Sequence, residues 1–446
     1  MFGSLSEPLP ATGRIFSWMS KQAVVVGAGL GGLVAAIELQ KLGWDVSVLE
    51  ASSEPGGRLK TDEVEGFTLD RGFQVLLESY PTAAEMLDYE KLNLKPFHSG
   101  AHVFDGCRLV TVDGKNPIGT LFNPYFSFQN KWMTGMMNIE VRGTDDSLMF
   151  KQPDMTAEAK LRAHGYKDDF LDQFARPFFG PVMHDPELQT SSRYLSFLWK
   201  HFSVGRTSLP QGGIAKIVQQ LVEKLPGRTI ECGVKVDEVR TETDGRFTVV
   251  CGDGSSRVCD AVVLATEAPE AARLSGQEFP TEGKDAVYLW FDAAQAPVED
   301  KMIVVNAGSF RDVNLVAPVS NIDPKRAPSG RHLVCVGVDR SMNVMDDETL
   351  ISRVVQVINS WGVFRGVGDW RCLRVDRIPF AQLDQPMGVY DHLPDVRGGV
   401  PGIYFGGEFA RHGSIEGAML AGKSAAEAVE LDVAACGRPM EATPAH

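Results

Sequence analysis

With 446 residues, 43% of them hydrophobic and 23% charged, the chain has the composition of a folded globular protein, not a disordered one. A formal charge of −14, from 44 basic and 58 acidic side chains, excludes a nucleic-acid partner, because phosphate binding takes a basic stripe and the sequence has none. Seven cysteines, an odd number without a C-x-x-C pair, speak against a disulfide framework or a zinc site and for reduced thiols.

At about 150 residues per domain, two or three domains are expected. No apolar run reaches the ~18 residues of a membrane span. Residues 1–20 lack the charged and then apolar order of a secretory signal. They are read as a leader before the first strand, with organellar targeting left open. Residues 436–446 are read as a loose tail. A cytoplasmic or peripheral membrane location is expected.

The first elements are the clearest. Gln22–Val26 is short, apolar and β-branched, the pattern of a buried parallel strand. A glycine-rich turn follows. Residues 33–42 then have helical periodicity and stop at Gly43, a suitable C-cap. Asp45–Leu49 reads as the next strand, which completes a βαβ unit in about thirty residues. Residues 106–204 are less regular and rich in Phe, Met and Trp, with helices expected at Thr156–Ala163 and Lys167–Phe174. From residue 205 the character changes. An amphipathic helix is expected at Ile214–Leu225, then strands at Val234–Thr241, Arg246–Val250 and Ala261–Ala265. Residues 280–384 read as strands with a helix at 348–361. A strand at Gly402–Phe405 and a helix at Ser414–Leu431 close the pattern.

The chemistry begins in the glycine-rich turn, Gly27-Ala28-Gly29-Leu30-Gly31-Gly32. This G-x-G-x-x-G lies between a strand and a helix, the context in which it binds a dinucleotide. Gly27 permits the tight turn, Gly29 lets a pyrophosphate approach the backbone, and Gly32 lets the helix pack on the sheet. The N–H groups of the helix start favour phosphate charge. Glu50, at the end of the second strand and followed by Ala51, can accept from both adenosine ribose hydroxyls and would repel a 2′-phosphate. NADP is therefore disfavoured. Further glycine clusters lie at Gly56-Gly57-Arg58, at Gly406-Gly407-Glu408 and at Gly413-Ser414-Ile415-Glu416-Gly417. The last opens a helix and offers donors to an electron-rich group such as the flavin pyrimidine edge. A nicotinamide cofactor needs no such distant site, so the cofactor expected is FAD.

These motifs, with PQGG at 210–213 and VVLAT at 262–266, occur in an order that resembles the FAD-dependent amine oxidase and phytoene desaturase superfamily. The resemblance spans almost the whole chain and concerns its FAD-facing parts. It implies an α/β fold: a Rossmann-type FAD-binding domain from residues 21–105, 205–279 and 385–435, with an inserted mixed α+β substrate domain from 106–204 and 280–384. Carried over by position, it implies that Arg58 lies near the pyrophosphate or flavin, and that Gly72, Phe73, Gln74 and Val75 line the flavin. It also implies that Val236 pairs with adenine through its backbone, that Glu408 meets the ribityl or pyrophosphate group, and that Ser414 to Gly417 contact the pyrimidine edge. No Cys or His stands in an attachment motif, so FAD is expected to be non-covalent, with His412 close enough to check. No second fingerprint follows a strand. The electrons are expected to pass to oxygen or another acceptor, not to arrive from NADPH.

The substrate end is less legible. Monoamine-type oxidases carry Tyr or Trp where this chain has Ser414, and a lysine near flavin N5 for which Lys284, placed just before a strand at Ala286–Phe291, is the nearest candidate. The S-I-x-G-A form instead resembles desaturases and isomerases of isoprenoids. The leading expectation is thus hydride removal from a C–H bond of an apolar small molecule. An amine or amino-acid oxidase releasing peroxide, and a redox-neutral isomerase or FAD-stabilised binding protein, are the alternatives. The Phe, Met and Trp residues of 121–150 and 170–204 could line a tunnel or touch a bilayer, and an ordinary helical core accounts for them equally well. His98, His102, His184, His201 and His412 are acid–base candidates by residue type alone, and no catalytic acid or base is assigned.

Overall fold

The computed structural model describes residues 21–113 and 125–436. The expected leader, nearly all of the expected tail, and Leu121 and Phe122 of the aromatic-rich stretch lie outside these residues.

Two sheets organise the chain. The first is parallel and five-stranded, in the order Ile230–Cys232, Asp45–Glu50, Gln22–Val26, Ala261–Leu264, Ile403–Phe405. Strand Gln22–Val26 sits in the middle, and all four of its apolar residues are buried. Burial on both faces explains why this strand reads as an unbroken apolar run. Helix Leu30–Lys41 covers one face and packs on the long helix Ile415–Cys436. The second sheet has seven strands, in the order Arg371–Leu383, Gly283–Ala293, His332–Val338, Val313–Ala317, Ile303–Asn306, Gly100–Phe104, Leu109–Asp113. All its pairs are antiparallel except that of Ile303–Asn306 with Gly100–Phe104. Helix Asp347–Ser360 buries Leu350, Val354, Val357 and Ile358 in the core formed with this sheet. A small antiparallel sheet, Val236–Thr241, Phe247–Cys251 and Ser256–Cys259, precedes strand Ala261–Leu264. The fold is α/β.

Most expected elements are present with their ends shifted by a few residues. Two differ in ways that matter, and one strand pair is additional. The hairpin of Gly100–Phe104 and Leu109–Asp113 runs across residue 105, where the first FAD-binding segment is expected to end, and belongs to the seven-stranded sheet. The stretch expected as one helix at Lys167–Phe174 is a short α-turn, Asp168–Phe170, that passes into a π-helical turn, Leu171–Ala175. Strand Gly283–Ala293 begins early enough to include Lys284.

The aromatic-rich stretch divides its duties. Phe126, Phe170, Phe179 and Trp199 are core residues, with Phe179 stacked on Trp199 at 5.4 Å. By contrast Phe128, Trp132, Met136 and Ile139, on helix Phe128–Gly143, are 73%, 60%, 45% and 70% exposed.

Candidate cofactor cleft and active site

A cavity of about 610 Å³ runs from the end of strand Gln22–Val26 to the start of helix Ile415–Cys436. Its lining comes from residues 26 to 418, because both sheets interleave distant parts of the chain.

At one end lies the fingerprint. Gly27, Gly29, Leu30 and Gly31 line the cavity, while Gly32 sits behind them against Gly27. Helix Leu30–Lys41 has Gly29 as its N-cap and no side-chain cap. Its first-turn N–H groups, which have no partner in the helix ladder, are left for a ligand. A Cβ built on Gly29 meets nothing within 4 Å. This is open space beside the uncapped helix start.

Glu50 also lines the cavity, with Ala51 beside it. One carboxylate oxygen accepts from Ala28 N–H at 2.7 Å, the other from Ser52 N–H at 2.8 Å and Ser52 Oγ at 2.6 Å. These bonds fix the carboxylate at the strand end, and its further lone pairs remain available. Val236, buried at the start of the small sheet, forms another part of this wall.

Gly57 and Arg58 follow along the wall, and a Cβ on Gly57 would stand 3.5 Å from Gly29 Cα. The Arg58 guanidinium pairs with Glu408 at 2.7 Å and donates to the Ala381 carbonyl at 3.0 Å. Gly407 and Glu408 line the cavity beside it. Burial and the nearby Glu408 hold the Glu267 carboxyl above the usual carboxylate range, against the opposing pull of Arg58. Residues 265–267 directly follow strand Ala261–Leu264, and the first two of them close the VVLAT motif. Their place in the wall was not drawn from the sequence, although that motif pointed at it.

Phe73, Gln74 and Val75 line the middle of the cavity. Gln74 Nε2 donates to the Arg58 carbonyl at 3.0 Å, and Gln74 Oε1 has no hydrogen-bond partner among the described residues. Gly72 lies beside the cavity without lining it, its N–H donating to Asp376 at 3.1 Å.

At the far end Ser414 and Ile415 reach the cavity, and Glu416 and Gly417 do not. Ser414 Oγ accepts from Gly417 N–H at 3.0 Å, so it caps helix Ile415–Cys436. Tyr or Trp at this position could not make that cap. Glu416 points to helix Pro81–Met86, where its carboxylate accepts from Thr82 N–H at 2.9 and 3.0 Å and from Ala83 N–H at 3.1 Å. First-turn N–H groups need such a partner, and burial raises the Glu416 pKa.

The remainder of this end is apolar and aromatic. Leu77, Phe178, Leu198 and Phe202 face Ile303, Val305 and Leu315 of the seven-stranded sheet. Its polar side chains include His184, Tyr194 and Gln382, of which Tyr194 and Gln382 donate to the Gly413 carbonyl, at 2.8 and 2.9 Å. Lys284 is not in the wall. Its Nζ pairs with Asp384 at 3.1 Å and donates to the Met183 carbonyl.

The histidines separate by partner. His102 meets Thr111 and Asp300. His201 meets Ser79 and Asp146. His412 is stacked on Phe150 at 4.7 Å and bonded to Ser414. His98 is exposed. Only His184, among the described histidines, lines the cavity.

Residues 30–430 match the family of flavin-containing amine oxidoreductases. A phytoene dehydrogenase of Streptomyces griseus is 27% identical over 285 residues, which are 57% of this chain and 56% of that protein, so the match spans about half the relative's length. Among solved structures, an oxidoreductase from Methanosarcina mazei aligns with TM-score 0.70 at 19% identity, covering 91% of this chain and 100% of that one. Putrescine oxidase bound to putrescine aligns with TM-score 0.67 at 16% identity, covering 93% and 99%. These two structures share the fold. The extent of the family match, on a chain whose fingerprint and distant glycine clusters converge on one cavity, places it plainly: this protein belongs to the flavin-containing amine oxidoreductases.

Proposed function

We propose that the chain binds FAD without a covalent bond and dehydrogenates a C–H bond of a lipophilic small molecule. The residues present suit FAD. Glu50 stands where an adenosine ribose would lie, the uncapped helix start and the space at Gly29 suit a diphosphate, and Ser414 and Ile415 open the helix that would face the flavin. No described cysteine lines the cavity. When bound, a flavin supplies a two-electron acceptor for hydride. The protein positions the substrate and keeps water away from it.

One observation carries the substrate class. The charged side chains in the described wall are Glu50, Arg58, Lys235, Glu267, Glu270 and Glu408, and all of them cluster around the fingerprint. The far end has no carboxylate to pair with an ammonium group and no Lys or Arg to pair with a carboxylate. Burying either unpaired charge there would cost several kcal/mol. An apolar, isoprenoid-like substrate loses nothing on entering. Ser414 and the diverted Lys284 point the same way. The test is anaerobic bleaching of the flavin band. Phytoene in detergent micelles is expected to bleach it, and putrescine and amino acids are expected to leave it oxidised. Robust turnover of an amine with release of peroxide would overturn the assignment. Reoxidation is assigned to oxygen or another acceptor.

Such a substrate resides in bilayers. No helix among the described residues is long and apolar enough to cross one. Yet Phe128, Trp132, Met136 and Ile139 repeat at helical spacing and expose one apolar stripe. We assign this stripe to peripheral contact with a neutral bilayer, since a chain of charge −14 is repelled by anionic lipid. The full-length protein is expected to co-sediment with phosphatidylcholine vesicles, and the F128S/W132S variant to do so about tenfold less. Equal sedimentation of the two would remove the stripe from the account.

A further inference from the structure

His184 ends helix Arg176–Met183 in the left-handed conformation, at φ 47°. It lines the large cavity and also a second, smaller one of about 60 Å³. The two differ sharply in chemistry. On the large-cavity side His184 has Val182 and Phe178 for company, and Pro181 lines both cavities. The smaller cavity is walled by Arg176, Asp185, Asp285, Arg311, Asp339 and Arg340, and has room for a few water molecules. His102, His201 and His412 are each held by hydrogen bonds, but the His184 ring nitrogens have no hydrogen-bond partner among the described residues. An imidazole with free nitrogens, between an apolar chamber and a polar one, is poorly explained as packing.

We infer that His184 accepts the proton released when the substrate is dehydrogenated and passes it through the smaller cavity to solvent. The inference rests on the dehydrogenase reading above. Forming a C=C bond removes two hydrogens from adjacent carbons. One would leave with its bonding electron pair, for which a bound FAD would be the two-electron acceptor. The other leaves as H⁺ to a ring nitrogen of His184, and its C–H pair becomes the new π bond. The carboxylates of Asp185, Asp285 and Asp339 then offer the proton a way to water. Burial and the nearby Lys284 charge hold the imidazole down to about 4, with Asp285 opposing and Arg340 adding to the fall. The ring is therefore neutral at neutral pH, ready to accept and quick to release. So weak a base suffices, because a carbon next to a developing carbocation is strongly acidic.

Two measurements on the FAD-loaded protein test this. His184→Asn keeps a residue tolerant of the left-handed conformation while removing the base. In anaerobic mixing with phytoene micelles, the variant is expected to bleach the flavin about 100-fold more slowly, with phytoene affinity within about twofold. Bleaching at the wild-type rate would overturn the inference. The second measurement needs no substrate. In ¹⁵N-histidine spectra at pH 7, the His184 ring, identified by its loss in the variant, is expected to be neutral and to exchange its N–H with water faster than His412 and His201. A His184 ring as protected as those two would also overturn it. If no hydrocarbon bleaches the wild-type flavin, the apolar-substrate reading fails, and the exchange rates alone decide whether His184 connects the cavity to solvent.

Discussion

Gly29→Val is expected to yield a folded protein that binds no FAD. Gly29 has an extended backbone, φ −72° and ψ −178°, which a β-branched residue adopts readily. A Cβ there meets no protein atom within 4 Å, so the apoprotein should lose only the few tenths to ~1 kcal/mol that separate Gly from Val at an N-cap. The added methyls would occupy the space next to the uncapped helix start, where a diphosphate must touch backbone N–H groups. The neighbouring glycine serves as a contrast. A Cβ on Gly32 would lie 1.9 Å from the Gly27 carbonyl oxygen, and backbone cannot retreat from it. Gly32→Ala is therefore expected to destabilise the apoprotein by about 3 kcal/mol or more. Flavin-to-protein ratio and apoprotein melting, measured side by side, separate the two outcomes. A Gly29→Val protein that purified with stoichiometric FAD would refute this placement of the diphosphate.

That contrast shows why one end of the cavity is legible in the sequence. A tight turn, a close approach and a helix start each demand particular residues within a few positions, so Gly27 to Gly32 and Glu50 state their geometry locally. The other end is set by pairings the sequence does not display. Ile303 enters the wall because its strand pairs with Ala101 some two hundred residues earlier. Glu416 lies two residues from Ser414, yet it turns away because two first-turn N–H groups of helix Pro81–Met86 require an acceptor. Lys284 sits within strand Gly283–Ala293, and Asp384, one residue past the paired strand Arg371–Leu383, draws it off as an ion-pair partner. The residue type allowed a catalytic lysine, and the pairing decided otherwise. His184 could be found by type but not singled out, since its distinction is the absence of a partner that four other histidines gave no reason to expect.

Arg58→Met is expected to weaken FAD binding about 100-fold, or ~2.7 kcal/mol, at neutral pH. Arg58 neutralises Glu408 across 2.7 Å and opposes the upward pull of burial and Glu408 on Glu267. Without it, two carboxylates face the path of an anionic diphosphate with nothing to balance them, and truncating one partner of a buried pair leaves the other charge to be paid for in binding. The pH dependence follows with a definite sign. A bound anion raises the pKa of a nearby carboxylate, and Glu267 already stands above the usual range, so FAD binding to the variant takes up protons and its affinity rises as pH falls from neutral. The native protein, with Arg58 in place, should show a flatter profile. Adding Glu408→Gln to the variant removes one of the stranded charges and should recover a large part of the lost affinity. Isothermal titration of apoprotein with FAD across pH 5.5 to 8 measures all three (an assay range set by the ~4 to 5 carboxylate window). Equal loss in the single and double variants would mean that Arg58 acts on the cofactor directly and that Glu408 is a bystander.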